Sequence, residues 1–501
     1  MWSFLISAAA LILGYFIFGR YVEKVFKPDV HASTPAVKKN DGVDFVPMPA
    51  WKVYMIQFLN IAGTGPIFGA IMGARFGPSS YLWIVFGCIF AGAVHDYFSG
   101  MLSLRCGGAN LPAIVERYMG KGVSHILRIF SVLLLLLVGA VFVYSPAMIL
   151  GDIAPLSHGA SGEGIRNAVM IWAAIIFLYY VVATLLPIDK IIGKLYPVFA
   201  IALIFMAVSL AVCLVVKWPS IPEVWDGLQN RGPSTGLEGQ SIFPYLFITI
   251  ACGAISGFHA TQSPMMARCL KNEKLGRPIF YGAMITEGLV ALVWAAVGSY
   301  FFFDGGAAEV GGSLSSQAPS VVTLVSRNWL GVMGGILAIL GVVAAPITSG
   351  DTALRSARLI IADFVKLDQR KIGNRLIIAV PMFVLTALLL WFNISDANGF
   401  NTIWRYFGWA NQTLACFTLW SATVWLSYFK RRRSGYYFMT LFPACFMTSV
   451  TLTYLCVDKI GFGLPHSVIP YVGTGIFVVS LAMYYIMRIS WDRKHGSGYK
   501  P

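Results

Sequence analysis

The chain has 501 residues, of which 57% are hydrophobic and only 12% are charged. A soluble domain carries roughly 25% charged residues, so this composition excludes a soluble enzyme, a nucleic-acid binder and a disordered scaffold. The net charge of +15 has a membrane explanation, because Lys and Arg collect in cytoplasmic loops, where they set topology and meet anionic lipid.

A membrane-crossing helix needs about 20 mostly apolar residues. Thirteen runs qualify, over residues 2–18, 51–75, 79–104, 129–150, 165–186, 196–216, 242–266, 279–303, 330–349, 376–392, 402–428, 436–457 and 468–489. The first is read as a span rather than a cleavable signal, because Arg20, Lys24 and Lys27 follow it where a small-residue cleavage site would stand. With the N-terminus outside and the C-terminus inside, 30 of the 37 basic residues fall in inside segments. Missing or inventing one span would invert every later loop, so the charge split supports an odd count. The block Lys430-Arg431-Arg432-Arg433 is the plainest cytoplasmic anchor. The eight cysteines lie mostly within apolar runs without C-x-x-C spacing, which points to neither a disulfide framework nor a metal cluster.

Two spans carry helix-breaking residues near their midpoints. The second reads Ile61-Ala62-Gly63-Thr64-Gly65-Pro66, and the seventh reads Cys252-Gly253-Ala254-Ile255-Ser256-Gly257-Phe258-His259, with Ser256-Gly257 and Ser263-Pro264 as alternative places for its break. Glycine weakens a helix and proline removes a donor, while an unpaired backbone group in lipid costs several kcal/mol. Paired interruptions in two halves point to a transporter binding site. The alternative is packing, since Gly65, Gly69 and Gly73 recur every four residues as a face that lets helices touch. The second span starts inside and the seventh outside. Residues 51–216 and 242–428 therefore read as two five-helix units of opposite orientation, with one leading span and two trailing ones over 436–489. The expected fold class is thus an all-α polytopic membrane protein, one transmembrane domain over 1–501.

Several stretches together resemble one family. They are Asn60-Ile61-Ala62-Gly63-Thr64-Gly65-Pro66, Gly92-Ala93-Val94-His95-Asp96-Tyr97, Leu186-Pro187-Ile188-Asp189-Lys190, Gly257-Phe258-His259-Ala260-Thr261-Gln262-Ser263-Pro264, Pro346-Ile347-Thr348-Ser349-Gly350-Asp351-Thr352 and Trp409-Ala410-Asn411-Gln412. With Asp41-Gly42-Val43-Asp44-Phe45-Val46-Pro47 near the N-terminus, the chain resembles the carbon starvation protein A family over about residues 40–415. The resemblance implies a bacterial inner-membrane transporter with a LeuT-type 5+5 fold, taking up peptides or pyruvate when carbon is scarce. The chain is much shorter than the best-known members of that family.

The residues suggest a division of labour. A half-helix beginning near Pro66 would aim N–H groups and a positive dipole end at a substrate carboxylate. Gly63, Thr64, Gly65, Ser256, Gly257 and His259 are the expected substrate contacts. Asn411 and Gln412 could bind a peptide bond or close an interhelical hydrogen bond. Ionisable groups inside the membrane imply function by default, so His95, Asp96 and Glu287 are expected to carry protons, alongside His259. His95 and Asp96 point about 100° apart on a helix and are expected to serve two partners, or to form a structural knot with Arg105 or a lysine. Glu287 could instead sit near the inner interface. By analogy with the 5+5 scaffold, the carbonyl of Ala62 and the hydroxyls of Thr348 and Ser349 are candidate cation ligands, because hard cations prefer oxygen. Asp351 reads as the N-cap of an interfacial helix over 353–364. Arg405, with Trp404, Tyr406 and Trp409, could meet an incoming carboxylate or anchor the span at the interface.

These readings give a cation-coupled symporter, with the proton ahead of sodium, importing a small carboxylate-bearing nutrient. The expected setting is a lipid bilayer, with no nucleic acid and no cofactor beyond the co-transported ion. The alternatives are a substrate-gated channel and a membrane nutrient sensor. Against the sensor, the longest inside segment runs only over about residues 20–49. An enzyme is disfavoured by the lack of a nucleotide fingerprint or a nucleophile–base arrangement.

Overall fold

The computed structural model describes residues 1–42, 44–153, 162–185, 188–369, 371–396, 399–430 and 435–495. Arg431, Arg432 and Arg433 of the basic block, and Leu186-Pro187 of one quoted stretch, lie outside them. Among the described residues the chain is all-helical, without a strand. In chain order the principal helices are α1 (Trp2–Phe26), α2 (Ala50–Ile61), α3 (Gly65–Ala74), α4 (Ser79–Arg105), α5 (Lys121–Ile153), α6 (Gly162–Leu185) and α7 (Ile188–Lys217). They are followed by α8 (242–249), α9 (His259–Ala267), α10 (Glu273–Phe303), α11 (Ala318–Leu337), α12 (Ala344–Val365), α13 (Ile372–Ser395), α14 (Gly399–Val424), α15 (Phe438–Val457) and α16 (Ile469–His495).

Ten described helices are long and apolar enough to cross a membrane, or up to eleven when α2 and α3 count as one span bent by 54°. Thirteen were expected. The two expected spans that are not among them are built as helices but are too polar or too broken to qualify. One is α8–α9, interrupted for nine residues over 250–258, and the other is α14, which carries Asn401, Arg405, Asn411 and Gln412. Burial sorts the rest. In α10 89% of the most apolar window is buried, against 11% in α16, so α10 stands at the centre of the bundle and α16 at its rim. The outer helices expose large apolar side chains such as Ile17, Leu178, Val216, Trp391 and Ile486, which only a hydrocarbon solvent accommodates on this scale.

The ninth span differs most from the reading. Expected over 330–349, it is part of one helical run through α11, a π-helical stretch (Ala338–Val343) and α12. The run is broken at Gly331, whose φ of 58° and ψ of −142° suit a residue without Cβ. Asp351 is therefore a buried mid-helix residue, not an N-cap. The cap-like composition misleads because the hydroxyls fold back on their own helix: Thr348 donates to the Ala345 carbonyl at 2.8 Å and Thr352 to the Ser349 carbonyl at 3.0 Å. Asp351 accepts instead from the Tyr196 hydroxyl of α7 at 2.9 Å.

The small-residue face of α3 is a packing face. A Cβ on Gly65 would strike the Cys252 side chain, one on Gly73 would strike Ile250, and one on Gly69 would stand 2.7 Å from the Thr249 carbonyl oxygen. Gly69→Ala should therefore lower the stability of the detergent-solubilised protein by about 1–3 kcal/mol, because backbone cannot yield as a side chain can. Gly122→Ala, where a Cβ meets nothing within 4 Å, should be neutral or slightly stabilising. Thermal unfolding of both variants checks the pair.

Candidate functional site

The two interruptions lie side by side. Between α2 and α3 the chain leaves the helix at Ala62, with φ −79° and ψ 55°, and re-enters at Gly65, with Pro66 in the first turn. Between α8 and α9 it leaves at Ile250 and re-enters at His259. Ser263 and Pro264 lie inside α9 and do not break it. Contact is direct, since a Cβ on Gly253 would come within 3.8 Å of the Pro66 Cα.

The second interruption is held by α14. The Asn411 carbonyl accepts from the Gly257 N–H at 3.1 Å. Its side-chain oxygen accepts from the Phe258 N–H at 2.7 Å and from the Ser256 hydroxyl at 3.0 Å. Gly257 is glycine because a Cβ there would strike the Asn411 carbonyl and the Ala415 nitrogen. Asn411 thus fills the interhelical alternative, and Ser256 and Gly257 are its partners. Gln412 donates to the Phe247 carbonyl at 2.9 Å, leaving its own oxygen without a partner.

The first interruption is less well supplied. The Thr64 hydroxyl and both polar atoms of the Asn60 amide are fully buried without a hydrogen-bond partner among the described residues. Asn60 and Thr64 stand four residues apart, and Asn60 was not singled out from the sequence although it opens the quoted Asn-Ile-Ala-Gly-Thr stretch. Buried polar groups left unpaired are rare and mark places where something else completes them. Ser349 donates to the Leu59 carbonyl at 3.1 Å and lies 3.3 Å from where a Cβ on Gly63 would stand. It reaches the interruption that contains Ala62, whereas Thr348 turns back on its own helix.

A buried ionisable cluster adjoins the second interruption. Asp96 on α4 bridges two imidazoles, its carboxylate oxygens lying 2.8 Å from His95 Nδ1 and 2.9 Å from His259 Nδ1. His259 Nε2 lies 3.4 Å from Glu287 of α10. All four residues are fully buried. One expectation and two of the alternatives are corrected here. His95 and Asp96 do touch each other, because the Asp96 carboxylate reaches back to its neighbour's ring while serving His259 as well. Glu287 sits in the buried core beside His259, not at the interface. Arg105, proposed as a partner for this pair, instead bonds Glu273 at 3.1 Å. Each Nδ1 atom faces the Asp96 carboxylate, and His259 Nε2 faces Glu287. Two carboxylates and two imidazoles thus share one buried region of low dielectric. Cys252 Sγ also comes within 4.8 Å of the His259 and Glu287 donor atoms, so these three are the described residues that could hold a metal ion.

A cavity of ≈ 380 Å³ opens on the face that carries the 218–241 and 304–317 segments. Its lining includes Phe68, Thr249 and Gly408, each within four residues of Thr64, Ile250 or Asn411 in the sequence. Gly63, Thr64, Gly65, Ser256 and Gly257 are buried.

A bundle of ten or eleven candidate membrane spans among the described residues, with two interrupted helices in contact at its core, is a membrane protein of LeuT-like fold. The chain belongs to the carbon starvation protein CstA family, whose model matches residues 1–155, 147–328 and 318–454. It is 47% identical over 60% of its length to an uncharacterized membrane protein of Haemophilus influenzae, covering 91% of that protein. It is 27% identical over 90% of its length to the peptide transporter CstA of Escherichia coli, covering 80% of it. It is 30% identical over 58% of its length to the pyruvate/proton symporter BtsT of Escherichia coli, covering 48% of it. Two solved structures share the fold. One is a manganese transporter of Eremococcus coleocola, at 13% identity and a TM-score of 0.57, covering 90% of this chain and 98% of that one. The other is MhsT in complex with L-phenylalanine, at 12% identity and a TM-score of 0.56, covering 85% of this chain and 98% of that one.

Asn411→Ala should strip the bonds to Phe258 and Ser256 and leave a buried N–H unpaired, at a cost of about 2 kcal/mol or more. Gln412→Ala loses one bond and should cost about half as much. Thermal unfolding in detergent compares them.

Proposed function

We propose that the chain is a secondary active transporter that imports a small carboxylate-bearing nutrient, pyruvate or a short peptide, by cation symport with a proton as the coupled ion. The observation that carries the reading is the pair of adjoining interruptions, one of which presents Asn60 and Thr64 without partners among the described residues. In this reading the substrate carboxylate meets the N-terminal turn of α3, where N–H groups and the helix dipole favour an anion. Thr64 supplies a hydroxyl, and the Ser256–Asn411 pair keeps the facing strand of backbone open.

Coupling in this reading runs through His95, Asp96, His259 and Glu287. His259 begins α9 directly after the second interruption, so a change in the cluster's proton content acts on the backbone that frames the substrate. Ser349, at the first interruption, gives its hydroxyl proton to Leu59 and keeps its oxygen lone pairs, so a sodium ion is the alternative coupled ion there. The names borne by the two Escherichia coli relatives, a peptide transporter and a pyruvate/proton symporter, support the substrate class.

Residues 51–216 and 242–428 would be the two inverted units, and rocking of one helix bundle against the other would expose the site alternately. The protein would lie in a bacterial inner membrane, with its N-terminus periplasmic, its C-terminus cytoplasmic and the cavity facing outward.

Proteoliposomes test this. An inward-directed pH gradient should drive saturable, uphill accumulation of pyruvate or of alanyl-alanine. Failure of both pH and sodium gradients to do so overturns symport, and downhill flux alone indicates a channel. Thr64→Ala and His259→Ala should each abolish uptake while the protein still folds in the membrane. Normal uptake in both removes the site assignment.

A further inference from the structure

Arg405 stands apart from the central site, on the wall of the ≈ 380 Å³ cavity, together with Trp404, Gln240, Gln317 and Asp458. Its side chain is 46% exposed, whereas that of Asp458 is 8% exposed. The nearest approach of the two is 4.0 Å, beyond hydrogen-bond distance. Asp458 is supported independently, since its Oδ1 accepts from the Ile460 N–H at 3.0 Å. The carboxylate therefore does not need the guanidinium, and the guanidinium's fork of donors is not spent on it. The walls nearby are apolar. Trp404 packs against Phe68 at 6.1 Å and against Phe400 at 5.7 Å between ring centroids. A simple interfacial anchor would turn its charge toward headgroups at the lipid-facing rim. Arg405 instead shares a concave, mixed polar and apolar chamber whose lining includes Phe68 and Thr249, which adjoin the interrupted stretches in sequence.

We infer that this chamber is a second binding site, in which Arg405 receives the carboxylate of a small organic acid or peptide before it descends to the central site. The planar guanidinium matches a carboxylate in bidentate fashion, the amides of Gln240 and Gln317 offer hydrogen bonds, and the face of Trp404 covers an aliphatic body. Asp458 keeps the resting chamber near neutral and orients the guanidinium from a distance. The inference rests on the proposed function for its class of ligand, but binding at Arg405 is measurable without transport.

The test uses the full-length protein in detergent and in proteoliposomes. Phenylglyoxal, an arginine-selective reagent, should label Arg405, as read by mass spectrometry of its peptide. Pyruvate or alanyl-alanine should protect that residue, whereas alanyl-alanine amide and inorganic phosphate should not. In uptake assays Arg405→Ala should raise the KM by about tenfold or more with Vmax nearly unchanged, consistent with losing a charged hydrogen bond. Arg405→Lys, which keeps the charge and loses the fork, should fall between. Equal protection by the amide or by phosphate, no protection by either carboxylate, or an unchanged KM in Arg405→Ala overturns the site. Protection without uptake in the wild type leaves the site standing and removes symport, while uptake without protection does the reverse.

Discussion

Backbone that leaves its helix inside a membrane must find other partners for its N–H and C=O groups, because hydrocarbon offers none. The arrangement around α2–α3 and α8–α9 follows from that constraint. The longer interruption, over 250–258, is possible because α14 brings Asn411 to it with a carbonyl and an amide oxygen, and because Trp83 of α4 donates to the Ile250 carbonyl at 2.9 Å. At the shorter one, Ala62–Thr64, the Thr64 hydroxyl and the adjoining Asn60 amide have no hydrogen-bond partner among the described residues, as is also true of the Gln412 side-chain oxygen beside the longer one.

The glycines serve both readings open to them. Gly65, Gly69 and Gly73 bring α3 against the stretch around Thr249–Cys252 so closely that no Cβ fits. Close packing and interruption are the same event here. A backbone that opens at mid-depth can be sealed from lipid only when a neighbouring backbone lies against it, and small residues permit that approach.

The ionisable cluster obeys a second constraint. Four titratable side chains within a few ångströms, none of them exposed, must balance charge among themselves. Asp96 does so by bridging His95 and His259, which sets both ring orientations and turns His259 Nε2 toward Glu287. The bridge links α4 to α9, and the contact of His259 with Glu287 links α9 to α10. Any change in this balance is therefore felt by three helices at once, one of which begins at the longer interruption.

Read alone, the amino-acid sequence determined the membrane setting, most of the apolar spans, where two of them break and the family, because hydropathy and glycine–proline punctuation are local properties of the chain, whereas the ninth span and the count of thirteen were not determined by it. It also named most of the polar residues at the core, since an ionisable group within an apolar run is visible without coordinates. Only the tertiary structure decided their partners. Asp96 meets His259 across 163 residues, and Asn411 meets Ser256 across 155, and pairing over such separations leaves no periodic mark in one chain. The same holds for Asp351, whose Ser-Gly-Asp-Thr setting imitates a cap until Tyr196 is seen beside it. Asn60 was overlooked because an amide in an apolar helix is ordinary until its neighbours prove to be apolar or already engaged. Local chemistry sets where a helix can open, whereas the approach of distant segments sets what the opening can hold.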